Sequence, residues 1–190
     1  MSGRADVTLD PDTANAFLIL ASDQRGVGRG DEWTLLPNNP ERFDTEPCVL
    51  GSQGFAAGRH CWEVEVVKAG DWWAVGVAQE SVKRKGVLSF TPQEGIWAVG
   101  QWFGQYYAFS DPDWTPLHLT CHPRAIQVCL DFTDKQGHLP QPRRKSFLKA
   151  SSVPQTGEKL GFQQIGVWEL PHWNFVVWRR RTLCFFVFPF

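Results

Sequence analysis

Residues 58–78 read GRHCWEVEVVKAGDWWAVGVA, and their pattern is that of two β-strands. In His60–Val67 apolar residues alternate with glutamates, so one face of the strand is apolar and the other acidic. The apolar face carries Trp62, Val64 and Val66, and the acidic face carries Glu63 and Glu65. Trp72–Ala78 predicts a second strand, which follows a tight turn at Lys68–Asp71.

Similar short strands are predicted on both sides of this stretch, at intervals of about ten residues. No window of 12 or more residues before residue 137 shows a helical period. Glycine-bearing connections are expected at Asp23–Gly30 and Gly51–Gly58. Many short strands separated by turn residues predict an all-β sandwich. The further predicted strands are Thr8–Asp12, Ala16–Ala21, Cys48–Leu50, a hairpin of Gly95–Gly100 and Gln105–Phe109 around Trp102–Gly104, and Ala125–Phe132.

Composition agrees with a sheet protein of one domain. The 190 residues include 10 Trp and 14 Phe, large rings that suit the faces of sheets. A net charge of −1 gives no field that would favour nucleic acid or a membrane surface. Neither an apolar leader at the N-terminus nor an apolar run long enough to span a bilayer occurs, and we expect a cytoplasmic protein.

The charge is unevenly distributed along the chain. Residues 1–136 carry 11 Lys and Arg against 18 Asp and Glu, whereas residues 137–190 carry 8 against 2. The segment after residue 136 therefore differs in character from the body of the chain.

Five cysteines are present, an odd number without any CxxC spacing. No cysteine and histidine cluster has the spacing of a zinc site. We therefore expect buried free thiols in a reducing compartment. The cysteines are Cys48, Cys61, Cys121, Cys129 and Cys184.

No catalytic motif accompanies the histidines, and phosphate-binding glycine loops are absent. Glu63 and Glu65 could be paired carboxylates for acid and base chemistry, but a solvated outer strand face accounts for them more simply. We expect no enzymatic activity, no metal and no cofactor.

Aromatic and basic residues on the predicted loops are the candidates for binding. Trp102 and Phe103 fall between two predicted strands, where exposed rings on a rigid scaffold suit protein contacts, although packing would also explain them. Lys83–Lys85 forms a basic run that is either a simple charged loop or a site for a protein or an anion. Its nearness to Trp72 and Trp73 in the sequence supports nucleic-acid stacking only weakly.

Seven pieces of the sequence, in order, resemble the PRY-SPRY family. They are LDPDTAN (Leu9–Asn15), LPNNPERF (Leu36–Phe43), PCVLGSQGF (Pro47–Phe55), GRHCWEVEV (Gly58–Val66), DWWAVGVA with SVKRKG, EGIWAVG, and VCLDF. This order across about 125 residues is a specific signal. The resemblance divides the chain into an N-terminal extension (1–6), a PRY-SPRY body (7–136) and a divergent basic segment (137–190).

The resemblance implies a bent, antiparallel, two-sheet β-sandwich with short N-terminal helical turns. Such domains occur in tripartite-motif ubiquitin ligases, in butyrophilins and, nearly alone, in vespryn venom proteins. They bind protein targets through loops at one end of the sandwich. We therefore expect a non-catalytic module that selects a protein partner, with no nucleic acid and no membrane insertion. The expected partner-binding residues are Trp72, Trp73, Arg84, Lys85, Trp102, Phe103 and Tyr106.

Three departures from the family pattern bear on this interpretation. Thr133 replaces the acidic end of an LDYE-type motif, and Ala74 stands where phosphate-binding butyrophilins carry a histidine. After Gly137 the expected alternating strand is missing, which favours an aberrant C-terminus over a divergent but folded one. The alternatives to a protein-binding module are a sensor of a small phosphorylated ligand, as in butyrophilins, and a secreted vespryn-like protein.

Overall fold

The structure, a computed structural model, describes residues 3–67, 70, 72–119, 122–132, 145–152, 161–169 and 183–189. Within these residues it consists of strands and their connections, with one turn of 3-10 helix at Pro92–Glu94. The strands are β1 (Gly3–Arg4), β2 (Leu18–Leu20), β3 (Val27–Arg29), β4 (Val49–Phe55), β5 (Arg59–Glu65), β6 (Trp72–Gln79), β7 (Ile96–Trp102), β8 (Gln105–Ala108), β9 (Thr115–Leu117), β10 (Ala125–Asp131), β11 (Lys145–Ser152), β12 (Gly161–Glu169) and β13 (Leu183–Pro189).

Two large sheets and one small one contain these strands. One sheet has the order β1-β5-β10-β11-β12 and the other β4-β13-β6-β7-β8-β9, while β2 and β3 pair alone. β1 and β5 pair in parallel over two residues. The antiparallel pairs are β2–β3, β5–β10, β10–β11, β11–β12, β13–β6, β6–β7, β7–β8 and β8–β9. The predicted all-β, antiparallel, two-sheet fold class is confirmed.

The chain divides into two compact units. The larger unit takes in residues 7–54, 68–117 and 183–190, and the smaller unit takes in residues 1–6, 55–67 and 118–182. In the larger unit β6 lies between β13 and β7 in the sheet, and its side chains are buried along nearly its whole length. Its core is built of small residues of β6 and β7 together with large apolar side chains, among them Phe43, Leu50, Ile96 and Phe109.

Polar side chains hold the N-terminal part of the larger unit together. Asn15, 2% exposed, donates from Nδ2 to the Phe43 carbonyl at 3.1 Å. Arg42, 7% exposed, donates to three backbone carbonyls, those of Pro37, Pro11 and Ala14, at 2.7, 2.9 and 2.6 Å. These bonds satisfy backbone carbonyl groups outside the strands, of which those of Ala14 and Phe43 belong to buried residues.

In the smaller unit the alternation predicted from the sequence is confirmed. Trp62 on β5 is buried, as are Val128 and Leu130 on its partner β10, while Glu63 and Glu65 are exposed. The two glutamates therefore form a solvated strand face, as expected from the simpler interpretation.

The prediction of free thiols is wrong for two of the cysteines. Cys61 on β5 and Cys129 on β10 are direct cross-strand partners and form a disulfide across 68 residues of sequence. Spacing could not reveal this, because the pairing depends on the register between two distant strands. Cys48 is a buried free thiol, as predicted. Cys121 lies outside the described residues, and Cys184 lies on β13.

Several predicted elements have different bounds in the structure. The glycine-rich residues 51–55 belong to β4 instead of a connection, because glycine weakens a strand without forbidding one. Thr8–Asp12 contributes only an isolated bridge between Leu9 and Gly51. The helical turn found among the described residues is Pro92–Glu94, not an N-terminal one. The predicted turn at Lys68–Asp71 lies outside the described residues except for Gly70, and it does not close a hairpin, since β5 and β6 belong to different sheets.

The predicted loss of a strand after Gly137 is also wrong. β11 pairs with β10 from Asp131↔Lys145 to Ala125↔Ser151 and so continues the ladder of the smaller unit. β12 pairs with β11, and β13 lies between β4 and β6 in the larger unit. Residues 137–144, with their prolines and basic run, lie outside the described residues, as does Thr133.

Candidate functional site

A cluster of aromatic rings lies where β6 begins and the β7–β8 hairpin turns. Trp72 is the direct cross-strand partner of Trp102. Their rings stack, with centroids 3.8 Å apart and an angle of 30° between the planes. Phe103 meets the Trp72 ring edge-on at 4.6 Å and the Trp102 ring at 5.6 Å. We call Trp72, Trp102 and Phe103 the ring cluster.

The backbone of the hairpin holds Phe103 in a conformation that its side chain does not favour. Phe103 has φ of +47° and Gly104 has φ of +76°, the signs that a two-residue type I′ turn requires at both positions. Asparagine or glycine suits the first position, whereas a bulky residue there is rare and costs about 1–2 kcal/mol. The Phe103 ring is nevertheless 70% exposed, so burial does not offset that cost. Strain retained under an exposed aromatic ring makes Phe103 a candidate functional position.

Trp73 and Tyr106 support the ring cluster from the opposite face of the same sheet. Both are buried, at 8% and 9% exposure, and their rings meet edge-on at 6.2 Å. The Trp73 indole Nε1 donates to Gln101 Oε1 at 2.9 Å, and Gln101 is its cross-strand partner. These two residues thus fix the backbone that carries Trp72 and Trp102.

Trp114 extends the aromatic surface, and the sequence analysis missed it. Its ring meets that of Trp102 edge-on at 5.6 Å and stacks on Phe109 at 4.2 Å. Its Nε1 donates to the Phe90 carbonyl at 3.2 Å. The signal available in the sequence was a tryptophan directly after the turn-rich Ser110–Asp113, ahead of a short strand.

Arg84 makes its described contacts with the chain itself, away from the ring cluster. Its guanidinium donates to the carbonyls of Val82, Glu41 and Glu80 at 3.1, 3.1 and 2.9 Å. It also lies over the Phe43 ring, 5.2 Å from the centroid.

Lys85 is held in a similar way. Its Nζ donates to Asn38 Oδ1, the Asn39 carbonyl and the Arg42 carbonyl at 2.9, 2.8 and 2.8 Å. Those three bonds use all the donors of an ammonium group. The structure therefore gives both basic residues a role in fastening residues 38–44, and it does not bring them together with the ring cluster.

Acidic residues of the same segment complete this fastening. The backbone N–H of Gly86 donates to Asp44 Oδ1 at 2.7 Å, and this bond is the main cause that lowers the pKa of Asp44. The side-chain amide of Asn39 likewise lowers the pKa of Glu41. Burial, and then the charge of Glu46, raise the pKa of the Cys48 thiol well above its usual value, which disfavours the reactive thiolate form.

The described part of the chain contains neither a ligand group for a metal ion nor a membrane-spanning helix. No group of three or more His, Cys, Asp or Glu side chains there could hold a metal ion. No helix there is long and apolar enough to cross a membrane.

Comparison with known proteins identifies the family. Residues 7–55 match the SPRY-associated domain (PRY) family and residues 59–136 match the SPRY domain family. Butyrophilin subfamily 1 member A1 of Bos taurus is 48% identical over 127 residues, which are 67% of this chain and 24% of the relative. The E3 ubiquitin-protein ligase TRIM58 of Homo sapiens is 44% identical over 129 residues, 68% of this chain and 26% of the relative. The chain thus spans about a quarter of the length of these relatives.

Two solved structures share the fold. The crystal structure of the TRIM65 PSpry domain aligns with a TM-score of 0.71 at 16% identity, covering 98% of this chain and 86% of that one. Stonustoxin aligns with a TM-score of 0.70 at 17% identity, covering 97% of this chain and 27% of that one. The chain belongs to the PRY-SPRY family and has its β-sandwich fold. Domains of this family are typically non-catalytic modules for protein interaction.

Proposed function

We propose that this domain binds a protein segment through the ring cluster and so selects a partner for a larger butyrophilin or tripartite-motif protein. The observation that carries the proposal is the exposed Phe103 ring, held at a positive φ and packed edge-on against the stacked pair Trp72 and Trp102. Rigid aromatic side chains supply large contact area at small entropic cost, and they dominate the energetics of many interfaces.

Within this proposal the predicted site residues take different roles. Trp72, Trp102 and Phe103 contact the partner, while buried Trp73 and Tyr106 keep their backbone in place. Arg84 and Lys85 shape the neighbouring segment 38–44 through bonds to its oxygens. By analogy with the E3 ubiquitin-protein ligase TRIM58, the role that we propose is substrate selection for a ubiquitin ligase, and the location that we propose is the cytoplasm.

No observation favours binding of a small phosphorylated ligand over binding of a protein. Ala74, at the position where the resemblance would require a histidine, is 2% exposed. The cationic groups of Arg84 and Lys85 are bonded to oxygens of the chain itself. The likeness to stonustoxin concerns the fold alone and adds no support for a secreted role.

The substitution Phe103→Asn tests the proposal without harming the turn. Asparagine accepts positive φ readily, so the variant keeps the hairpin and removes only the ring. Loss of a central aromatic anchor costs about 2 kcal/mol or more of binding energy, roughly a 30-fold weaker complex. We expect proximity labelling in cells to lose a specific set of partners while the Tm of the domain is maintained or raised.

Trp33→Ala is the matched control, because Trp33 is an exposed aromatic residue, 57% exposed, on a different loop. Its partner set should equal that of the wild type. A partner set that survives both Phe103→Asn and the double change Trp102→Ala with Phe103→Ala would refute the ring cluster as the binding site.

A further inference from the structure

The disulfide of the smaller unit occupies a defined position in its antiparallel ladder. The N–H of Val66 donates to the Arg124 carbonyl, and the N–H of Phe132 donates to the Gly58 carbonyl, both at the ends of the β5–β10 pairing. Hydrogen-bonded and non-hydrogen-bonded pairs alternate in such a ladder. The two end pairs, Val66 with Arg124 and Gly58 with Phe132, are hydrogen-bonded, and so is every second pair between them. Cys61 and Cys129 lie between two such pairs and therefore form a non-hydrogen-bonded pair.

The separation of the two cysteines agrees with this position. Their Cα atoms are 4.2 Å apart, near the roughly 4.5 Å typical of non-hydrogen-bonded pairs. The register of the strands already brings the two sulfurs together, because the residues are direct cross-strand partners. The thiols therefore need no backbone movement to meet when the bond is opened and closed.

The pair lies on the polar face of the ladder. Neighbours on that face are Glu63, which is exposed, and Gln127, which is half-buried, while Trp62 and Val128 fill the opposite, buried face. The two sulfurs differ in access, since Cys61 is half-buried and Cys129 is only 5% exposed. A small reagent in solution thus reaches Cys61 more easily than Cys129.

We propose that Cys61 and Cys129 form a reversible redox site that exchanges with a small thiol and its disulfide, such as glutathione. In the reducing direction a glutathione thiolate attacks the Cys61 sulfur, forms a mixed disulfide there and releases Cys129 as a thiolate, which takes up a proton. A second glutathione thiolate attacks the glutathione sulfur of the mixed disulfide and releases Cys61 as a thiolate, which is protonated in turn. The pair gains two electrons and two protons, and two glutathione molecules become one glutathione disulfide.

Closing the bond stabilises the domain by restricting its unfolded chain. The cross-link joins positions 68 residues apart, and a loop of that length corresponds to a fall in Tm of about 10–15 °C on reduction. Cys48 provides an internal contrast, because it is completely buried and its raised pKa keeps it from exchanging. The state of the site would thereby couple the stability of the domain to the redox poise of its surroundings.

The test is differential alkylation of the purified full chain across a series of glutathione to glutathione disulfide ratios, read by mass spectrometry for each cysteine. We expect Cys61 and Cys129 to become protected together in a single two-electron transition, with Cys48 unmodified throughout in the folded chain. Independent titration of the two thiols would overturn the proposal. A bond that stays closed under excess reduced glutathione, or thiols that stay open under excess glutathione disulfide, would overturn it as well.

Two single variants test the order of the exchange. In Cys129→Ser the remaining Cys61 should accept glutathione at least about tenfold faster than Cys129 does in Cys61→Ser, because of its greater exposure. Equal rates would refute the assignment of Cys61 as the sulfur attacked first. Reduced and alkylated wild type serves as the second measure of the Tm change, in case either serine variant folds poorly.

Discussion

The substitution Arg42→Met is expected to destabilise the larger unit strongly. The Arg42 side chain is 7% exposed and donates to the carbonyls of Pro37, Pro11 and Ala14 at 2.7, 2.9 and 2.6 Å. Methionine fills similar volume without any donor, so three carbonyl groups lose the bond from Arg42, and the Ala14 carbonyl loses it at a buried site. Hydrogen bonds to charged groups contribute about 1.5–3 kcal/mol each, so losing these three, two of them only part-buried, should cost about 3–5 kcal/mol in total.

The expected cost translates into a measurable change in thermal unfolding. For a chain of this size 1 kcal/mol shifts the Tm by about 2–4 °C, so Arg42→Met should lower it by about 10–15 °C. Differential scanning calorimetry or circular dichroism measures this, at one protein concentration and with the redox state of the cysteines held fixed. The matched control is Arg124→Met, which removes an exposed arginine of the smaller unit and should change the Tm by no more than about 2 °C.

Arg42→Lys refines the argument. Lysine keeps the positive charge but cannot reach three carbonyls with the planar geometry of a guanidinium, so its Tm should fall between those of wild type and Arg42→Met. If Arg42→Met unfolds at the same temperature as Arg124→Met, the three bonds do not stabilise the fold and the reasoning fails.

Two other substitutions test the packing and the electrostatics of the larger unit. Gly100→Ala should prevent cooperative folding, because its Cβ would lie 2.1 Å from the Trp73 carbonyl oxygen. The control is Gly28→Ala, which should change stability by about 1 kcal/mol or less because nothing lies within 4 Å of its Cβ position. Similar unfolding curves for the two variants would contradict the close approach of the strands at Gly100. The bond from the Gly86 N–H lowers the pKa of Asp44 in the folded chain. The bond therefore stabilises the fold fully above the pKa of Asp44 in the unfolded chain, which is about 4. This stabilisation is lost as the pH falls through the lower pKa of the folded chain. The Tm of Asp44→Asn should therefore depend less on pH between about 3 and 5 than the Tm of the wild type, and parallel profiles would show that Asp44 has no such role.

Strands and faces could be predicted from the sequence because alternation is a local property. The β7–β8 hairpin occurs where it was expected, and so does β10 with its buried Val128 and Leu130. Elements that depend on distant partners were predicted less well. Residues 51–55 are part of β4 although they include two glycines, and β11 exists although its sequence lacks the expected alternation. In both cases pairing with a neighbouring strand overrides a weak local preference.

The candidate site was only partly predictable for the same reason. The position of Phe103 on a hairpin indicated exposure, but its positive φ and its contact with Trp72 depend on how β6 pairs with β7. Lys85 was predicted as a partner contact because a basic side chain on a loop would attract acidic groups of a partner, and that role stays a prediction. Its bond to the Arg42 carbonyl joins residues 43 positions apart, and no local pattern signals such a contact.

By itself the sequence determined that the chain is built of short antiparallel strands, that it belongs to the PRY-SPRY family, and which side of β5 faces the core. These features follow from the two-residue period of a strand and from motifs that lie within a few residues of one another. Only the tertiary structure decided that Cys61 meets Cys129, that Arg42 and Lys85 bond to backbone carbonyls, and that Phe103 is presented to solvent. The physical reason is that these contacts join residues far apart in the sequence. The register of β5 and β10 pairs the two cysteines, the packing of loops brings Arg42 and Lys85 to their carbonyls, and the pairing of β6 with β7 places Phe103 beside Trp72.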